Sequence, residues 1–224
     1  SSSGLNVAAG AAVGGVGILP ATIVSGTLAP GNSIGTMTVS GSLVFAPGST
    51  YTVEVSPADA DRTNVVAGSG GPGSADLSGA TVVAVYAPGS YVAKEYVIVQ
   101  AEGGLGGTRF VGLEGEAPAG FAHTLAYDAT SAWLVLRLLM GDWSGLDANQ
   151  QGVADALNAY FERTGGLPAA FAELTPQGLT ANSGESGTSV QQAGLLAADR
   201  FLDAISGPLL EGADDEAEGS AAVA

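Results

Sequence analysis

The pentapeptide Gly31-Asn32-Ser33-Ile34-Gly35 has the G-x-S-x-G form of a hydrolase nucleophile elbow. With Asp59 or Asp61 and the single histidine, His123, it supplies the residue types of a serine triad in the order serine, acid, histidine. The chemistry would be acyl transfer, with the imidazole taking the Ser33 proton and the carboxylate orienting the ring. An elbow needs a strand before its serine and a helix after it. Here an Ala-Pro-Gly triplet precedes Ser33 and a Thr/Val-rich run follows. The sequence therefore favours a tight turn whose glycines relieve backbone strain.

The remaining candidates are weaker. Gly70-Gly71-Pro72-Gly73-Ser74-Ala75-Asp76 is similar to one calcium-binding nonapeptide of a β-roll. Its Asp falls one residue late and the unit occurs once, whereas such a site needs oxygens from adjacent repeats. Asp59, Asp61 and Asp76 could be the acids of a polysaccharide-cleaving enzyme, but in Gly/Ser/Pro-rich segments Asp is simply a good turn residue. Sugar clefts also need aromatic platforms and basic residues, and aromatics make up only 6% of the chain. His123 has no second histidine and no cysteine to join it, which excludes a nitrogen- or thiolate-rich metal site built from this chain. The expectation is a non-enzyme with no catalytic, cofactor-binding or metal-binding residue and no cofactor.

The elements that would carry these residues are strands. From Met37 to Val55 the apolar positions alternate: Met37, Val39, Leu43, Phe45, Tyr51, Val53 and Val55, separated by Thr and Ser. A period of two marks half-buried strands. Ala29-Pro30-Gly31 and Ala46-Pro47-Gly48 read as chain reversals, since Pro presets φ and Gly accepts a positive φ. Val44-Phe45-Ala46-Pro47-Gly48-Ser49 returns 41 residues later as Val85-Tyr86-Ala87-Pro88-Gly89-Ser90. Self-similarity of this kind, at about twenty residues per unit, predicts coils of a β-solenoid. The aromatic residues Phe45, Tyr51, Tyr86, Tyr91, Tyr96, Phe110 and Trp133 mostly fit alternating strand positions and read as core.

Gly26-Thr27-Leu28-Ala29-Pro30-Gly31-Asn32-Ser33-Ile34-Gly35-Thr36-Met37-Thr38-Val39, with FAPGSTYTVEV behind it, resembles the C-terminal end of the passenger of a Gram-negative (type V) autotransporter. The resemblance extends over roughly residues 25–206. It implies the last coils of a short right-handed parallel β-helix, closed by an antiparallel hairpin cap called the autochaperone and followed by a helical linker. Its implied partners are upstream passenger coils and a downstream outer-membrane β-barrel. Its implied location is the cell surface or the medium, reached through the periplasm and outer membrane. Its implied role is structural, in capping the passenger and promoting its folding and secretion. The alternatives are a cell-surface adhesin or binding module, and a fragment of a polysaccharide-active β-helix enzyme.

Composition narrows the classes. The 224 residues are 46% hydrophobic and 12% charged with 35 Gly and 10 Pro, too apolar for disorder and too turn-rich for a helix bundle. A net charge of −16 with six basic residues argues against nucleic-acid binding and against an anionic membrane surface. The absence of Cys excludes a disulfide framework and is compatible with an oxidising periplasm. The chain opens Ser-Ser-Ser-Gly with no signal peptide, which suggests an excised fragment of an exported protein.

Along the chain, residues 1–25 read as a Gly-rich β-helix coil or a frayed flank, since Gly10, Gly14, Gly15, Gly17 and Pro20 interrupt any membrane helix. Residues 26–140 are the β body, with strands expected near 63–67, 80–86 and 96–101. Beyond Gln100, the loops Gly103–Gly107 and Asp128–Ser131 predict antiparallel hairpins. Residues 141–210 are the helical linker: Ser144 and Asp147 form a capping-box pair, and Val153, Leu157, Tyr160 and Phe161 form one apolar stripe. A short helix follows Pro168, and a third begins near Thr188 and stops at Gly207-Pro208. Its Q-Q-A-x-L-L-A-A-D-R-F-L-D-A-I resembles the linker helix placed before an autotransporter barrel, although Asn182 stands where Leu is expected before Ser183-Gly184-Glu185. Residues 211–224 read as an acidic disordered tail.

Overall fold

The computed structural model describes residues 4–69, 71–142, 144–171, 174–175 and 178–180. The third helix and the acidic tail expected from the sequence lie outside them. The chain divides into two compact units, residues 1–142 with 154–173 and residues 143–153 with 174–224.

In the first unit the chain visits three sheets in rotation. The opening circuit lays down β1 (Leu5–Val7), β2 (Ala12–Gly15) and β3 (Gly17–Leu19), one strand in each sheet. The second adds β4 (Thr22–Val24), β5 (Thr27–Pro30) and β6 (Thr36–Ser40), each beside its predecessor. The third adds β7 (Leu43–Phe45), β8 (Ser49–Val55) and β9 (Arg62–Val66), and the fourth β10 (Ala75–Asp76), β11 (Ala80–Tyr86) and β12 (Glu95–Ala101). Every pairing between these circuits is parallel.

The alternation read from the sequence selects the inward face. Met37, Val39, Leu43, Phe45, Tyr51, Val53 and Val55 are all at most 2% exposed. A Val, Leu or Phe side chain contributes about 1.5–3 kcal/mol when fully buried, so a register slip of one residue would turn this whole set outward. Interior aromatics plug the stack. Tyr51 lies parallel to Phe110 at 5.5 Å, and Phe45 meets both rings edge-on at 5.5 and 5.9 Å. The buried Tyr51 hydroxyl donates to the Ile98 carbonyl at 2.6 Å and pairs with Thr63 Oγ1 at 3.0 Å, so its polar tip is satisfied.

Three expectations need correction. First, the two APGS phrases are not equivalent points of successive coils. Ala46–Ser49 turns from the first sheet into the second, whereas Ala87–Ser90 leads from the second into the third. The spacing between stacked neighbours varies from 15 residues (Ala12 to Thr27) to 36 (Thr63 to Val99), because corner loops lengthen while the strands stay in register. Ala46–Ser49 is itself a turn of the expected kind, closed by Ser49 N–H donating to the Ala46 carbonyl, with Gly48 at φ +81°. Ala29 and Pro30 instead finish β5, and that reversal starts at Gly31.

Second, Gly103–Gly107 does not join a hairpin. The chain continues into β13 (Gly112–Glu114), which pairs parallel with β11. Antiparallel pairing begins later, where β14 (Phe121–Tyr127) and β15 (Ser131–Leu138) form a hairpin and β15 pairs with β12.

Third, the helix α1 (Ala148–Thr164) is capped differently from expectation, and of the expected stripe only Phe161 is fully buried, with Val153 and Leu157 partly so. Asp147 Oδ1 accepts from Asn149 and Gln150 N–H, while Gln150 Oε1 accepts from Asp147 N–H, so the reciprocal pair is Asp147 with Gln150. Ala154 and Phe161 are its buried residues, while Tyr160 is 36% exposed. A single 3-10 turn, Ala169–Phe171, stands where the short second helix was expected. In the second unit Gln150 Nε2 donates to Thr180 Oγ1, and Leu179 is buried. No helix among the described residues is long and apolar enough to cross a membrane.

Candidate functional site

The Gly31–Gly35 corner connects β5 to β6, so strands flank it on both sides. Ser33 is exposed, with φ at +84°. The corner is held by Asp61, which is 2% exposed. Asp61 Oδ1 accepts from Gly35 N–H at 2.8 Å and Oδ2 from Glu54 N–H at 3.0 Å. A Cβ at Gly31 would come within 2.1 Å of Asp61 Oδ1, and Gly31 sits at φ +91°, so this position requires glycine on two counts. Burial pushes the Asp61 carboxyl above the usual carboxylate range, although both backbone donors pull it down. Asp61 fastens a corner to the neighbouring strand, a role the sequence reading did not assign.

Asp59 closes its own turn, with Oδ1 accepting from Ala60 N–H. Asp76 does likewise, with Oδ1 accepting from the backbone and hydroxyl of Ser78. No group of three metal-ligating side chains occurs among the described residues.

His123 lies on β14, which β15, β12 and β9 separate from β6 in the third sheet. Four strand spacings of about 4.8 Å amount to roughly 19 Å, so the imidazole is far outside hydrogen-bond reach of Ser33. Its partner is Tyr86, whose hydroxyl lies 2.9 Å from His123 Nδ1. Burial lowers the His123 pKa and raises that of Tyr86, so at neutral pH the pair is a neutral imidazole beside a protonated phenol. Tyr91 meets Tyr86 edge-on at 5.6 Å, and its hydroxyl donates to the Val55 and Ala87 carbonyls. The structure thus brings Asp61 to the corner that holds Ser33 but keeps His123 away from Ser33, paired with Tyr86.

The two ends of the stack are the features that differ most. At the first end, no described strand covers the outer edges of β1, β2 and β3. Val16 and Ile18 are 59% and 77% exposed there. Unpaired N–H and C=O groups along three edges form a template for further strands.

The far end is closed by three different devices. Over the first sheet runs the segment 102–111, where Ala75 N–H donates to the Gly104 carbonyl and Leu77 N–H to Thr108 Oγ1. Over the second lies β13. Over the third lies the hairpin, whose Asp128 carboxylate accepts from Thr130 and Ser131 N–H and is held below its usual pKa chiefly by the Thr130 amide. The later part of α1 packs on this end. Phe161 meets Phe121 at 5.7 Å, Asn158 exchanges two hydrogen bonds with the Met140 backbone, and Lys94 pairs with Glu162. The sequence predicted a hairpin cap. It did not reveal Phe110 as the plug's third ring or the helix as part of the closure. Compared with known proteins, the chain matches no family model and no curated protein.

Proposed function

We propose that residues 26–140 are the terminal β-helix coils and hairpin cap of an autotransporter passenger, an autochaperone-like segment that is non-catalytic. In this reading the rotating strands form a right-handed parallel β-helix stub exposed on the cell surface or in the medium. The 141–210 segment is the linker toward an outer-membrane barrel. The observation that carries the reading is the contrast of the two ends: no described strand covers β1, β2 or β3, whereas a loop, β13 and a hairpin cover β10, β11 and β12. Ordering a residue's backbone costs about 1–2 kcal/mol, and a lone coil recovers this only against a neighbour that already presents a ladder. A pre-formed terminal coil supplies that neighbour, so upstream coils add to it in turn. Their outward folding would favour export through the membrane.

The test is to delete residues 26–140 from the full-length protein and measure protease resistance of the surface-exposed passenger. The expected result is an inserted barrel with a protease-sensitive passenger. A passenger displayed in normal amount and equally resistant to protease refutes the reading.

A further inference from the structure

The outward face of the third sheet carries polar groups that the fold leaves unused. Thr38, Asn64 and Gln100 stand in one row across β6, β9 and β12, about 4.8 Å apart from strand to strand. Asn64, Gln100, Glu102 and Thr130 line a trough of about 300 Å³. Asn64 Oδ1 and Arg62 Nε are buried without a hydrogen-bond partner among the described residues. The Gln100 side chain is exposed and also makes no hydrogen bond there. A buried polar atom without a partner costs free energy, so a native group of this kind calls for an explanation.

Trp133 belongs to the same face. On β15 its neighbours Ala132 and Leu134 are fully buried, while Trp133 is half-buried and in register with Val97 of β12. Its indole thus forms part of the outer surface, a correction to its expected place in the core. From Val97 to Gln100 along β12 is about 10 Å.

We propose that this face binds a neutral oligosaccharide, with the indole of Trp133 taking the apolar face of one sugar ring and the Gln100 amide and Asn64 Nδ2 meeting hydroxyls of the next. Side-chain amides both donate and accept, as hydroxyls require, and an indole combines an apolar body with a polar N–H. An extended peptide fits less well. Peptide strands add to unpaired edges, and β9, β12 and β15 are paired on both sides. Anionic polymers are disfavoured by the net charge of −16 and by Glu102 at the trough wall. The inference is independent of the autotransporter reading.

The test uses the full chain carrying Trp143→Phe, which leaves Trp133 as the sole indole reporter. Cello-, xylo-, manno- and maltohexaose are titrated while Trp133 fluorescence is followed, with an oligogalacturonate and a Gly/Ser-rich peptide as comparison arms. At least one neutral hexasaccharide should change the emission saturably, and Gln100→Ala should weaken it at least tenfold with unchanged thermal stability. Asn64→Ala should weaken the same sugar by a similar factor. No response to any neutral sugar, a preference for the anionic sugar or the peptide, or unchanged affinity in Gln100→Ala overturns the proposal.

Discussion

At one end of the stack no described residue pairs with the outer edges of β1, β2 and β3; at the other a glycine-rich loop, β13 and a hairpin cover β10, β11 and β12. β1, β2 and β3 are three or four residues long and β11 and β12 seven, but strand length and preference do not by themselves cover an edge. Parallel strands here repeat only by returning through two other sheets, and such a stack has no internal reason to stop. Closure needs a change of rule, and the chain supplies it in β15, which runs antiparallel to β12. A hairpin satisfies its own inner edge locally, and α1 then buries Phe161 against it. The expected consequence is a gradient of local stability from the closed end to the open one.

The largest expected effect is at the aromatic plug. Phe45→Ala removes one of three interlocked rings and should cost about 3–5 kcal/mol, read as a lower midpoint in urea. An unchanged midpoint would mean the plug does not hold the stack together.

Next is the Asp61 corner. Asp61→Ala strands the buried N–H groups of Gly35 and Glu54, each costing about 1–3 kcal/mol. Relief of a desolvated carboxylate offsets part of this, leaving about 2–3 kcal/mol. Because the folded carboxyl titrates above its unfolded value, its contribution is fully present below the unfolded pKa and declines as pH rises through the folded one. The gap between wild type and Asp61→Ala in urea should therefore be wider at acidic than at neutral pH. A gap that widens on raising pH would contradict the assignment.

Asn158→Ala removes the two hydrogen bonds to Met140 and should cost about 1–2 kcal/mol, with the loss confined to α1 and the hairpin in hydrogen exchange. At the open end Ile18→Thr should change stability by less than about 0.5 kcal/mol, since Ile18 is 77% exposed. A cost comparable to that of Asn158→Ala would erase the contrast between the ends.

What the sequence disclosed follows from the range over which each signal acts. Alternation is local, so the inward set from Met37 to Val55 was legible. Pairing is set by residues 15 to 36 positions away, and corner loops absorb length at small entropic cost, so the repeated APGS phrase misled about the coil period. The loop Gly103–Gly107 is short enough for a hairpin or for a corner between sheets, and only the free edge of β11 decides between them. The outward place of Trp133 was readable: Arg137 shares its alternation phase, while Ala132, Leu134, Leu136 and Leu138 hold the other. Asp147 with Gln150 was equally available as a capping box. The role of Asp61 was not, because it depends on Gly35, 26 residues earlier in the chain.

The central claim is that the closed end is the stable nucleus on which the rest of the ladder is laid. Native-state amide hydrogen exchange along the third sheet tests it strand by strand. The account predicts protection near the global unfolding free energy in β12 and β15, intermediate values in β9 and β6, and rapid exchange in β3. Protection in β3 equal to that in β12 would contradict it.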